Sequence, residues 1–178
     1  HRGSYLGLDF SLPLLRDAGS LPEGFPAKFL EADLTQLSEG HRSLITDHWS
    51  LITAFATLHH IPSRALRLQL IDFVRKHLAP DGLFIHSNWQ FLNSARLRAR
   101  IQHWEKIGLT KSDVDEGDYL LDWRRGGEGL RYVHQFSEEE LSALAAECGF
   151  EIVETFYSDG EGEKLGLYQV WRPIKTGE

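Results

Sequence analysis

Short apolar runs alternate with amphipathic stretches along this chain, and that alternation predicts an α/β fold built on a parallel sheet. Residues 5–9 (Tyr-Leu-Gly-Leu-Asp) read as a short buried strand. A helix follows from about Ser11, with Pro13 tolerated in its first turn. A second strand covers 27–31 and ends at Ala32-Asp33; a third covers 50–55, Ser-Leu-Ile-Thr-Ala-Phe. Leu66, Leu70, Phe73, Val74 and Leu78 recur at helical spacing behind Ser63, a suitable cap. Pro80-Asp81-Gly82 reads as a turn and 83–86 as a fourth buried strand.

The second half is less regular. Residues 91–107 read as a helix with Leu92, Ala95, Ala99, Ile101 and Trp104 on its inner side. Residues 108–131 show no period and are expected to form a long functional loop. Ser137 and Glu140 have capping-box spacing, with Glu140 reaching back to Ser137 at the start of a helix that runs through Cys148. Strands at 150–157 and 165–172, joined by Ser158-Asp159-Gly160-Glu161-Gly162, form a hairpin. There is no internal repeat, so a single domain is expected over 1–178, with an insertion at about 91–136 serving as a substrate cap.

Composition narrows the function. The chain has 178 residues, 42% hydrophobic, and no apolar run long enough to span a bilayer. The single cysteine, Cys148, reads as a small buried hydrophobe and points to a reducing, cytoplasmic location. A net charge of −7 argues against a broadly basic nucleic-acid surface. The arginines are nonetheless clustered, at 96, 98 and 100 and again at 124, 125 and 131. Arg96 and Arg100 would share a face of the helix expected there, and a solvated surface accounts for them.

Two strand ends carry candidate chemistry. In Gly7-Leu8-Asp9-Phe10-Ser11, the Asp9 carboxylate follows a strand and can either cap the next helix or accept hydrogen bonds from vicinal ribose hydroxyls. In Glu31-Ala32-Asp33-Leu34, Asp33 can close a turn or accept from an adenine amine, with Leu34 offering an apolar face to the ring. A third element is His59-His60 ahead of Pro62. One histidine of that pair can orient or deprotonate a substrate, or both can be turn and packing residues. No Cys or His cluster has metal-ligand spacing, so no metal is expected.

Taken in order, Gly-Leu-Asp-Phe-Ser, Glu-Ala-Asp-Leu, Ile-Thr-Ala-Phe-Ala-Thr-Leu-His-His-Ile-Pro and Leu-Ala-Pro-Asp-Gly-Leu-Phe-Ile resemble the motif series of class I S-adenosylmethionine-dependent methyltransferases. The resemblance covers residues 5–89. It implies a Rossmann-like α/β fold, a mostly parallel sheet with an antiparallel last strand, and S-adenosylmethionine as cofactor. By the same resemblance Asp9 and Phe10 meet the cofactor ribose, Asp33 and Leu34 hold the adenine, and Ala54 and Phe55 line the methionine side. The family's first strand and glycine-rich loop have no counterpart ahead of Tyr5. That implies roughly 40–70 further N-terminal residues, and poor cofactor binding by residues 1–178 alone.

Gly117 to Arg125, followed by Arg131-Tyr132-Val133-His134-Gln135-Phe136, is similar to tRNA wobble-uridine carboxymethyl methyltransferases. In that group an acidic run ending in Pro-Trp precedes Arg-Tyr-Tyr-His-x-Phe. Trp123, Arg131, Tyr132 and His134 match; Asp122 replaces the proline and Val133 the second tyrosine. Trp123 and Tyr132 would stack on an unpaired base, Arg124, Arg125 and Arg131 would meet phosphates, and Arg131 or His134 would hold a substrate carboxylate. Trp and Tyr packed beneath an insertion would explain the same residues. The expected activity is methylation of a modified, carboxymethyl-uridine-like tRNA base, with room for an activating subunit and no role for a membrane. A small-molecule O- or N-methyltransferase is the rival; a non-catalytic methyltransferase-like partner is the third reading.

Overall fold

The computed structural model describes residues 3–19, 26–37, 45, 48–124 and 129–175. The chain divides into two compact units, His1–Thr46 and Asp47–Glu178.

In the first unit β1 (Tyr5–Asp9) and β2 (Ala27–Glu31) pair in parallel, Tyr5 opposite Ala27 and Asp9 opposite Glu31. The helix α1 (Leu12–Ala18) follows β1, with Pro13 in its opening turn, where a missing N–H leaves nothing unpaired. Gly7 is required by packing: a Cβ there would meet the Phe29 ring at 2.6 Å. Because the strands are parallel, Asp9 and Asp33 emerge at the same, carboxyl, end of this ribbon.

The second unit is built on a four-stranded mixed sheet in the order β3 (Trp49–Phe55), β4 (Leu78–Trp89), β9 (Gly166–Pro173), β8 (Phe150–Ser158). Helix α2 (Arg64–His77) makes the crossover between the parallel pair β3 and β4. Ser63 caps it, its Oγ accepting from Leu66 N–H at 3.4 Å. Of the residues at helical spacing, Leu70, Phe73, Val74 and Leu78 are buried and Leu66 half-buried, and Ile71 joins the buried side. Phe84 of β4 meets Trp171 of β9 edge-on at 5.7 Å, and Phe150 closes the same cluster. Burial of such side chains is worth about 1.5–3 kcal/mol each. The β8–β9 hairpin is antiparallel, and β9 also runs antiparallel to β4, so the last strand has the expected direction. The expectation of a mostly parallel sheet is corrected here: in this sheet only β3 and β4 pair in parallel. The turn expected at Pro80-Asp81-Gly82 is absorbed into β4.

The larger departures fall between 91 and 134. In place of one helix over 91–107 there are a 3-10 turn at Phe91–Asn93, a single helical turn α3 (Ala95–Arg98), a short strand β5 (Ile101–Gln102) and a second 3-10 turn at Trp104–Ile107. Arg100 therefore lies beyond the helix it was expected to share with Arg96. In place of a loop over 108–131 there are β6 (Asp118–Trp123) and β7 (Gly129–His134), and β5, β6 and β7 form an antiparallel sheet. The cause is tertiary: Phe91 and Leu97 are buried against Leu121 and Val133 of that sheet, which overrides a local helical spacing. Helix α4 (Glu138–Glu147) starts at Ser137, whose Oγ accepts from Glu140 N–H at 3.1 Å. The Glu140 carboxylate, expected to reach back to Ser137, turns instead to His134 at 2.9 Å.

Candidate active site

At the carboxyl end of β1, Asp9 Oδ1 accepts the Ser11 N–H at 2.8 Å and shapes the entry to α1. Phe10 beside it is 76% exposed. At the end of β2, Asp33 Oδ1 accepts from Thr35 Oγ1 at 2.7 Å and from Thr35 N–H at 2.8 Å, while Oδ2 accepts from Gln36 Nε2 at 3.1 Å. The Thr35 hydroxyl, with help from its N–H, holds the Asp33 carboxyl below its ordinary range and so ionised at neutral pH. Both carboxylates thus make the local turns that were one of their two readings. Asp9 Oδ1 and Asp33 Oδ2 each accept one hydrogen bond and keep a second lone pair, so a turn hydrogen bond and a ligand hydrogen bond are compatible. Leu34 is half-buried.

At the carboxyl end of β3, Ala54 is half-buried and Phe55 is 55% exposed, its ring 6.3 Å from that of Tyr168. Ala56 then takes a left-handed backbone (φ 51°), held by Ala56 N–H donating to Ser87 O at 3.1 Å and Ser87 Oγ at 3.0 Å. A non-glycine residue in that region costs about 1–2 kcal/mol, and such strain gathers where a loop must present particular groups. The loop goes directly into the 3-10 turn Leu58–His60.

His59 is buried; its Nδ1 accepts the Trp89 N–H at 3.1 Å, which places the ring proton on Nε2. Burial, then the neighbouring His60 and Arg131, pushes its pKa down to about 3. The His60 ring lies 4.2 Å from it, and His60 Nδ1 donates to the Tyr132 carbonyl at 3.0 Å. Burial also pulls the His60 pKa down, outweighing that hydrogen bond, and Arg131 adds to the effect. His60 is therefore neutral at pH 7, with the lone pair on Nε2. The histidine loop and β7 form one assembly.

Strand alternation sorts the remaining candidates onto two faces of the β5–β7 sheet. Trp123 and Arg131 share one face, the Arg131 guanidinium lying 3.7 Å over the Trp123 ring. This geometry suits a cation–π contact. Burial lowers the Arg131 pKa, and among the described residues no carboxylate pairs with it. Arg124 is exposed and held by Asp122, at 2.7 Å through Nε; Arg125 lies outside the described residues. Tyr132 and His134 occupy the other face. Neither of them sits with Arg131 and Trp123 as one recognition surface, which corrects the grouping expected from their closeness in sequence.

That second face is a buried polar network. His134 Nδ1 faces Asp118 Oδ1 at 2.6 Å and Nε2 faces Glu140 at 2.9 Å. Carboxylates only accept, so both nitrogens carry protons. Burial by itself would lower the His134 pKa, but Asp118 and Glu140 together raise it. Tyr132 OH also donates to Asp118 Oδ1, at 2.6 Å. Arg67, 1% exposed, donates to Tyr132 OH at 3.0 Å, to Ile61 O at 3.2 Å and to Asp115 Oδ2 at 3.0 Å. The sequence reading missed Arg67, Asp115 and Asp118. The available signal was Arg67 itself, a cation inside the apolar stripe of α2, three residues before Leu70.

A family profile described as a methyltransferase domain matches residues 16–155. No curated protein matches the chain. Among solved structures, an S-adenosylmethionine-dependent methyltransferase of Methanosarcina mazei is 22% identical, with TM-score 0.70 over 96% of this chain and 82% of that one. The CcbJ methyltransferase of Streptomyces caelestis is 18% identical, with TM-score 0.64 over 96% and 74%. The glycopeptide N-methyltransferase MtfA, in complex with S-adenosyl-L-homocysteine, is 13% identical, with TM-score 0.63 over 94% and 73%. At these identities the likeness is one of fold, the class I methyltransferase-like α/β fold with mixed sheets. The profile match spans most of the chain, and the chain belongs to the methyltransferase-domain family: it is a methyltransferase.

Proposed function

We propose that this methyltransferase uses S-adenosylmethionine to methylate an acceptor bearing a carboxylate, with a modified tRNA base as the leading acceptor. The observation that carries this reading is Arg131: a half-buried cation without a carboxylate partner among the described residues, stacked on Trp123 and close enough to His59 and His60 to lower both. A bidentate guanidinium–carboxylate pair would complete that arrangement. The sulfonium methyl is already activated, so the protein's main contribution is alignment, worth roughly 7–11 kcal/mol in well-oriented systems. A carboxylate acceptor has no proton to give up, so the neutral His60 orients the acceptor and does not need to act as a base.

On the donor side, Asp9 takes the ribose hydroxyls with Phe10 beside it, Asp33 and Leu34 take the adenine, and Ala54 and Phe55 line the methionine portion. The M. mazei protein is an S-adenosylmethionine-dependent methyltransferase and MtfA was solved with S-adenosyl-L-homocysteine, which supports S-adenosylmethionine as the methyl donor. A small-molecule acid is the second reading, favoured by the chain's net charge of −7.

The test has two arms. Calorimetry on the full-length protein should show S-adenosylmethionine binding that weakens about tenfold or more in Asp9→Ala, from lost charged hydrogen bonds; unchanged affinity would remove the ribose assignment. Methyl-labelled cofactor incubated with bulk tRNA should label the tRNA, whereas label entering only a small-molecule pool would transfer the case to the second reading.

A further inference from the structure

The Leu120–Leu130–Tyr132 face of the three-stranded sheet, opposite the one bearing Arg131 and Trp123, opens on a cleft of about 460 Å³. Its walls are apolar: Trp104, Ile107, Leu109 and Val114 join Leu120 and Leu130. A volume of that order suits a small organic ligand. Ile107 and Leu130 are 46% and 42% exposed, apolar surface that an occupant would remove from water.

The polar side chains of the cleft differ in sign from the acceptor site. Asp113, Asp115 and Asp118 line it, and among the described residues no lysine, arginine or histidine does. Arg67 and His134 engage Asp115 and Asp118. Those two cations are set against the three carboxylates that line the cleft, Asp113, Asp115 and Asp118, so negative charge remains in excess. A carboxylate or phosphate would be repelled there. An ammonium would be attracted, and the Trp104 and Tyr132 rings, 6.4 Å apart, supply faces for it.

We propose that this cleft is a second ligand site, separate from the acceptor site at Arg131, and that it takes a small organic amine on an aromatic or aliphatic body. The Tyr132 side chain lines the cleft while its carbonyl holds His60, so an occupant touches the strand that steadies the histidine loop.

The test uses two probes of nearly equal shape and opposite charge, 2-phenylethylamine and phenylacetate, titrated into the full-length protein at neutral pH. Binding is followed through the Trp104 indole N–H signal by nuclear magnetic resonance. The amine should shift that signal and bind about tenfold more tightly at the cleft than the acid. Leu130→Trp, which fills the cleft, should abolish the shift. Asp113→Asn, which removes the charge and keeps a side-chain oxygen for the Thr110 N–H and hydroxyl, should narrow the difference in affinity to about threefold; Asp113 makes no hydrogen bond to Arg67. Equal affinities in the unmodified protein, a stronger Trp104 response to phenylacetate, or amine binding that survives Leu130→Trp would each overturn the proposal. Phenylacetate binding that leaves Trp104 unmoved and disappears in Arg131→Ala reports the acceptor site, so failure of one site is read separately from failure of the other.

Discussion

His60 Nδ1 lies 3.0 Å from the carbonyl oxygen of Tyr132, a partner that can only accept. This one hydrogen bond fixes the His60 tautomer, leaves Nε2 unprotonated, and ties the loop after β3 to the strand that carries Arg131. The size of the His60 contribution should therefore depend on the acceptor. With a carboxylate acceptor, His60→Gln should lower kcat by no more than about tenfold, since only orientation is lost. With an amine or hydroxyl acceptor needing a base, the loss should be about 100-fold or more. Steady-state rates of the two proteins on one acceptor decide between these, and a loss above 100-fold would exclude the carboxylate reading.

Three buried histidines give the fold a two-sided pH dependence. His59 and His86 are pushed by burial to about 3, far below the ordinary histidine value of 6.5. Between those values the unfolded chain binds more protons, so stability falls as pH drops from 6.5 toward 3, by about 1.4 kcal/mol per pH unit for each group. His134 has the opposite sign. Its raised pKa contributes stability that is complete below 6.5 and is lost as pH rises through the folded-state value. Urea midpoints measured across pH should show both limbs. His86→Leu should flatten the acid limb and His134→Gln the alkaline one; parallel profiles for variant and parent would refute the assignment.

Arg67 holds together elements that are distant in sequence, α2 and the β6–β7 hairpin. Replacing it by methionine keeps the bulk but takes away the donor to the Tyr132 hydroxyl oxygen, the Ile61 carbonyl and Asp115, leaving Asp118 with the side chains of His134 and Tyr132 alone; removing one partner from a buried ionic cluster costs about 3–5 kcal/mol. Arg67→Met should lower the urea midpoint accordingly with little change in m-value. Arg64→Ala, which breaks a surface pair with Glu147, should move the midpoint little. Comparable midpoints for the two variants would show that the buried network does not stabilise the fold.

What could be read from sequence followed the physics of each segment. The strand–Asp order, α2 with its Ser63 cap and the β8–β9 hairpin are local patterns: apolar runs, a 3.6-residue spacing, turn residues. The hairpin β6–β7 was invisible for a physical reason. Asp118, Tyr132 and His134 occupy positions where a half-buried strand ordinarily shows apolar residues, because this face buries an ionic network supplied by Arg67 and Glu140. Such a network exists only once the fold has formed. The same alternation separates Arg131 and Trp123 from Tyr132 and His134, residues that lie close together along the chain.

Arg131 and Trp123 provide the last prediction, and it bears on the acceptor. If Arg131 pairs with an acceptor carboxylate, Arg131→Ala should reduce kcat/KM by roughly 10- to 100-fold, the range expected for charge-assisted hydrogen bonds. Arg131→Lys should recover only part of this, because an ammonium lacks the two-pronged geometry. Trp123→Ala should act in the same direction, since the ring that orients the guanidinium is gone. Cofactor affinity should be unchanged in all three. For a tRNA acceptor, binding should also weaken steeply between 50 and 200 mM salt as phosphate contacts release counterions. That slope should become shallower in Arg124→Ala, whose exposed side chain directly follows Trp123 in the chain. A shallow salt dependence with the Arg131 loss intact would identify a small acidic acceptor; full activity in Arg131→Ala would exclude a carboxylate contact at this position.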